Sequence, residues 1–308
     1  MKKIIDKLSN ENRFELYSPI FRLFICFHIL KDLFVTNSLK DLLYKGELFL
    51  STNNSFILES IGISTTFVRD NYNFFVLFFV LFTILYLFGI GKHYVGFVIY
   101  IFYDIFQNLN PVTLNGGDNI LKFAILYMAF INSYKYFSIN KLEFENTEIN
   151  KLSNFISNLS GYSICIHLGL AYFLSAIHKI HTDVWFSGVA TYYTLSLERF
   201  QGTSYNLALA KNAIFVTLST YLTLMIELLH PFLVWVKQTK IILIIGAILL
   251  HISIAILMML YDFQLVFIFL QGFYLTNTEV GKYLIKPLEN FIQLIKLKII
   301  NKKIKYES

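Results

Sequence analysis

The stretch HLGLAYFLSAIHKIHTDVWFSGVATYY, residues 167–193, gathers histidines, a lysine, an aspartate and a tryptophan into one short segment. An apolar helical run begins at His167, reaches His178 and Lys179 near its far end, and breaks into a polar turn at Thr182, Asp183, Val184 and Trp185. Burial disfavours the charged form of an amine, which is how a lysine becomes a general base near neutral pH. Lys179 is therefore the first candidate for chemistry. A lone lysine at a helix end can also snorkel to the interface and do nothing more. His178, His181, Asp183 and Trp185 crowding the same segment favour the chemical reading.

Other ionisable residues stand inside apolar runs, where each costs several kcal/mol at a bilayer centre unless paired. Glu227 and His230 are three apart and so share a helix face, able to pair with each other, with Lys179 or with His251. His167 and His178 are eleven apart, about three turns. The candidate catalytic set is Lys179, His178, Asp118, Glu227 and His251, with Asn115, Asp183 and Trp185 as candidate substrate contacts. The structural alternative is that these side chains are hydrogen-bonded struts between helices.

To place such residues the chain needs a membrane. Of 308 residues 56% are hydrophobic, 18% aromatic and 15% charged, and the mean hydropathy is +0.58. That is more apolar surface than one soluble core can hide. A net charge of +6 could suggest nucleic acid, but the cations lie in short loops and the tail, so they are read as topology and lipid contacts, with no nucleic-acid partner. Cys26 and Cys165 both lie in apolar runs, which offers no disulfide framework. The histidines are dispersed and no HExxH or paired cysteines occur, so no metal cage is read. The charged, amphipathic N-terminus does not resemble a cleavable signal peptide.

Apolar runs of spanning length predict an all-α, polytopic bundle of about eight transmembrane helices, at 17–35, 74–89, 94–109, 120–133, 162–179, 212–236, 241–260 and 262–275. The first carries Arg22, His28, Lys31 and Asp32. Gly89-Ile90-Gly91-Lys92 reads as a tight turn, and Asn115-Gly116-Gly117-Asp118 as a turn in which Asp118 or Asn119 caps the next helix. Residues 36–73 suit a short helix or two on the membrane surface, 135–160 read as a linker between halves, and 185–210 as an interfacial segment. A single domain is expected over 1–278, followed by a basic amphipathic cytoplasmic tail, 279–308, on an anionic leaflet. With both termini inside, the outer loops hold only Lys40, Lys45, Arg69, Arg199 and Lys211 of the 26 lysines and arginines. That bias supports N-in, C-in, in a multi-pass protein of the cytoplasmic membrane, with Asp118, Lys179, Trp185 and Asp262 toward the outer face.

The segment IHLGLAYFLSAIHKIHTDVWFSGVATYY resembles the signature of the HTTM superfamily of membrane domains, which includes the vitamin K-dependent γ-glutamyl carboxylases. NGGDNILKFAIL resembles that family's polar-loop-into-helix motif, and ELLHPFLVW with HISIAILMMLYDF resembles its last paired helices. Length and layout are most similar to the sporulation-delaying SdpB group, membrane proteins required to mature a secreted peptide toxin. The resemblance implies that Lys179 falls where the carboxylases place the lysine that deprotonates vitamin K hydroquinone, so the implied cofactor is a membrane quinone. It also implies a secreted peptide precursor and a small accessory maturation protein as partners, besides the bilayer. Near Asp118 the carboxylases carry a histidine that is Gly-Gly-Asp-Asn here, and no large soluble domain for gripping a propeptide is read. These departures weigh against glutamate carboxylation itself and leave base chemistry at Lys179 open.

Two classes of function follow: a membrane enzyme of peptide-toxin maturation, or a non-catalytic membrane partner that presents a precursor or confers immunity. A solute carrier is a weaker third, because inverted repeats and paired broken helices are not visible.

Overall fold

A computed structural model of the chain describes residues 2–44, 56–60 and 62–290, and among these every regular element is helical. Lys45 and most of the basic tail, including Lys296, Lys298, Lys302, Lys303 and Lys305, lie outside the described residues. In chain order the helices are α1 (Lys2–Asn10), α2 (Tyr17–Ser38), α3 (Lys40–Tyr44), α4 (Phe56–Ser60), α5 (Thr65–Asp70), α6 (Tyr72–Leu87), α7 (Lys92–Leu109) and α8 (Gly116–Phe130). There follow α9 (Thr147–Ile180), α10 (Asp183–Phe186), α11 (Ala190–Ser196), α12 (Asn206–Ala210), α13 (Ala213–Leu233), α14 (Lys240–Met258), α15 (Tyr261–Leu270) and α16 (Asn277–Val280).

Three described helices are long and apolar enough to cross a membrane: α9, α13 and α14. The apolar α6 is shorter, at 16 residues. α2 has the length but carries Arg22, Lys31 and Asp32, while α8 and α15 have 15 and 10 residues. Helices α9 and α13 form the most extensive pair and run antiparallel, since Tyr162 meets Trp235, Phe173 meets Phe232 and Lys179 meets Glu227. Leucine, isoleucine and phenylalanine on the outward faces of α6, α13 and α14 remain exposed, as lipid-facing helices require.

The expected linker at 135–160 is only half a linker. Asn146 caps α9, its side chain accepting from the Glu148 and Ile149 amides, so the helix starts at Thr147 and carries the polar residues with it. Those residues hold α1 in place: Asn158 donates to the carbonyls of Leu8 (2.7 Å) and Glu11 (2.6 Å) and accepts from the Arg13 amide (2.8 Å), and Asn154 donates to Ser9. A polar face that served one docked helix looked, from composition, like a loop.

The Gly89–Gly91 turn forms as expected, with φ of +70° and +73°. A Cβ on Gly89 would collide with Ser138 and stand 2.8 Å from Arg22 Nη1. The reason is that Arg22, fully buried, anchors this corner: Nη2 donates to the carbonyls of Phe137 (2.6 Å) and Tyr136 (3.3 Å), and the guanidinium lies 5.1 Å from the Tyr134 ring centre.

At the same end, Thr276 and Glu279 form a capping box at α16, and Glu279 Oε2 also accepts from Lys240 Nζ at 2.6 Å. Burial alone would raise the Glu279 carboxyl, but hydrogen bonds from Lys240 and from the Thr276 amide and hydroxyl outweigh it and hold it below the ordinary glutamate value. A depressed folded-state value means that the pair's stabilisation, about 1 kcal/mol, is present at neutral pH and is lost as pH falls through the carboxylate range. Glu279→Gln is therefore expected to lower the melting temperature at pH 7 and to converge with the wild type near pH 3, as followed by thermal unfolding in detergent. A gap unchanged with pH contradicts the pairing.

Candidate active site

The last two turns of α9 place Tyr172 and Lys179, seven residues apart, on one face. That face meets Glu227 and His230 of α13, His251 of α14 and Gln264 of α15, with Gln271 in the turn just after. Lys179 Nζ donates to Glu227 Oε1, and the amine also stands 4.8 Å from the Trp185 ring centre. Glu227 is 7% exposed, and its second oxygen, Oε2, is buried with no hydrogen-bond partner. The Lys179 side chain keeps 24% of its surface, so the pair lies at the margin of the bundle rather than at its centre.

Behind the pair runs a directed chain of hydrogen bonds. His230 Nε2 donates to Gln271 Oε1 (2.8 Å), and Gln271 Nε2 donates to the Tyr172 hydroxyl (2.8 Å). The hydroxyl's own hydrogen is then free for His251 Nε2 (2.6 Å), and His251 Nδ1 donates to Gln264 Oε1. Each link fixes the next, which assigns Nε2–H to His230 and Nδ1–H to His251. All five side chains are at most 5% exposed, in packing where an unmade hydrogen bond costs about 1–3 kcal/mol. His230 Nδ1 and Gln264 Nε2 at the ends of the chain nevertheless have no partner.

The structure brings together Lys179, Glu227, His251 and Trp185 from the expected set. It does not bring His178, which is exposed, or Asp183, which is exposed on α10 with its carbonyl accepting from Ser187. Glu227 and His230 share a face but do not pair, because His230 is held by Gln271. Asp118 has other work. Asn115, not Asp118 or Asn119, caps α8: its Oδ1 accepts from the Gly117 and Asp118 amides, while Asp118 Oδ2 accepts from the Asn115 amide (2.8 Å). Both residues line a separate cleft of about 200 Å³ with Asp32, Tyr103, Gln107 and Asp262. His167 packs against Phe123 and Tyr127 instead of joining either group.

Tyr172, Gln264 and Gln271 are the members that the sequence reading passed over. Their signal was spacing: Tyr172 lies two turns before Lys179, and Gln264 lies two turns before Gln271. Removing the central hydroxyl tests the chain, because Tyr172→Phe strands Gln271 Nε2 and His251 Nε2 together. A loss of about 1–3 kcal/mol is expected, read by thermal or denaturant unfolding, whereas an unchanged stability sinks the chain as drawn.

Chemically, the amine is a donor in this arrangement and the available lone pairs belong to Glu227 Oε2 and His230 Nδ1. The pair can take a proton from a bound O–H or acidic C–H group at the carboxylate while the adjacent ammonium offsets the anion left behind. No family model, curated protein or solved structure matches the chain.

Proposed function

We propose that this chain is a multi-pass enzyme of the cytoplasmic membrane, HTTM-like and similar to the SdpB group, which matures a secreted peptide by proton-transfer chemistry at the Lys179–Glu227 pair. The observation that carries this reading is the unpartnered Oε2 of Glu227, a buried carboxylate oxygen beside a cation, backed by the hydrogen-bonded chain from His230 to Gln264. Paired ionisable groups inside apolar helices mark functional sites. The eight-span, N-in, C-in arrangement belongs to the same proposal and rests on the distribution of lysine and arginine.

A membrane hydroquinone fits this donor set, since its phenolic hydroxyl needs an acceptor and the buried Glu227 Oε2 lacks a donor. When bound, such a group supplies a weakly acidic hydroxyl and reducing equivalents. The chain's own part is to accept the hydroxyl proton on Glu227, to hold the Lys179 ammonium against the resulting anion, and to stack Trp185 over that ammonium. The polar chain from His230 to Gln264 holds Tyr172 and His251 in place behind the pair.

One observation favours a second reading, a non-catalytic partner for a peptide precursor: Lys179 and Glu227 satisfy each other across the α9–α13 contact, as a strut would. Mass spectrometry of the partner peptide, produced with and without this chain, separates the two. A new covalent mass in the peptide, an added carboxyl group or a crosslink, is the result expected of the enzyme. Identical masses leave the partner reading.

A further inference from the structure

We infer that His28, Asp32 and Asp262 form a binding site for a zinc ion, independent of the Lys179–Glu227 pair. His28 and Asp32 are four apart on α2 and share a face, and Asp262 opens α15. One ligand atom from each, an imidazole nitrogen and two carboxylate oxygens, lies within 4.8 Å of the others. One imidazole with two carboxylates, leaving a position open, is a donor set that zinc accepts. Zinc–ligand bonds of about 2.0–2.1 Å place neighbouring ligand atoms about 3.3 Å apart, and His28 Nε2 already stands 3.1 Å from Asp32 Oδ2.

Two further observations point to a cation. His28 is 4% exposed, and its Nε2 has no hydrogen-bond partner, because the approach of Asp32 is too misaligned to count as one. From a different helix, α7, Gln107 lines the adjoining cleft, and its Oε1 is likewise buried without a partner. Asp118 lines the same cleft within electrostatic reach of Asp32, His28 and Asp262. Acceptors therefore face the space from α2, α7, α8 and α15, the Tyr44 and Tyr103 hydroxyls line it as well, and the cation beside these carboxylates is Lys31. Its ammonium lies 2.8 Å from Asp32 Oδ1 and also contacts Asp262 Oδ1. With 40% of its side chain exposed, Lys31 can swing into solvent and yield these oxygens to an ion. A single charge thus holds a position where a divalent ion neutralises both carboxylates and gains the imidazole as well.

Lys31 makes the inference testable in both directions. Full-length protein in nanodiscs, stripped with a chelator, is titrated calorimetrically with zinc chloride. One zinc per chain is expected, with Asp262→Asn and His28→Ala each weakening Kd about tenfold or more, and Lys31→Gln tightening it severalfold by removing the competing ammonium. The Asp262 side chain is half exposed, so that variant tests the site even where His28→Ala fails to fold. The inference is overturned if zinc does not bind stoichiometrically, if Asp262→Asn leaves Kd unchanged, or if Lys31→Gln fails to tighten binding.

Discussion

Lys179→Ala is expected to abolish peptide maturation while leaving inserted protein in the membrane, and Lys179→Ala with Glu227→Ala is expected to regain stability without regaining activity. Truncating one partner of a buried ion pair leaves the other charge uncompensated, which costs about 3–5 kcal/mol where burial is complete. Here the lysine side chain is a quarter exposed, and solvent reaching it reduces the expected loss to about 2 kcal/mol. Removing both charges relieves that penalty, so the double variant should melt close to the wild type, a coupling that a double-mutant cycle reads directly. A strut and a catalytic pair then part company. If the pair only ties α9 to α13, maturation should return along with stability. If Glu227 accepts the proton and Lys179 offsets the anion, activity should stay lost by at least about a hundredfold, the scale of general acid–base catalysis. Recovered maturation in the double variant would end the enzymatic proposal.

How much of this could be read beforehand depended on the size of the penalty each residue carries in an apolar setting. Lys179 and Glu227 stood out because an unpaired charge there is intolerable, and the two indeed find each other. Tyr172, Gln264 and Gln271 are neutral, carry a smaller penalty, and are common enough in helices to pass unremarked, although they make up most of the polar chain. Asp118 misled for a local reason. A carboxylate three residues after an asparagine and two glycines serves the cap of its own helix, and that cap fixes it beside Asn115. His28, Asp32 and Asp262 were hidden by sequence distance. The i, i+4 pair on α2 was visible, but its third member arrives only when α15 folds back along α2. The first third of α9 failed the other way, since Asn154 and Asn158 face α1 and Ser157 accepts from the Asn132 amide rather than meeting water, and no composition rule distinguishes those environments.

The turn carrying Gln271 yields the other large effect. Gly272 is buried against Tyr17 so closely that a Cβ added there would fall within the tyrosine ring, while the Tyr17 hydroxyl donates to the Phe269 carbonyl and the ring meets Phe273 edge-on at 5.2 Å. Turning the Tyr17 ring out of this overlap gives up both contacts, and Phe273 and Tyr274, the two residues that follow Gly272, are themselves buried. Gly272→Ala is accordingly expected to destabilise the protein by about 3 kcal/mol, at the upper end of the overpacking range. Because Gln271 is the adjacent residue, any shift that relieves the clash also draws its amide away from Tyr172 and His230, so the polar chain should loosen together with the fold. Tyr17→Ala in the same chain opens the space and should restore a good part of the loss despite removing a buried ring. Thermal unfolding of the two single variants and the double in one detergent reads this out. A Gly272→Ala protein as stable as the wild type would mean that α2 does not lie against this turn, and that the floor of the candidate site is built differently.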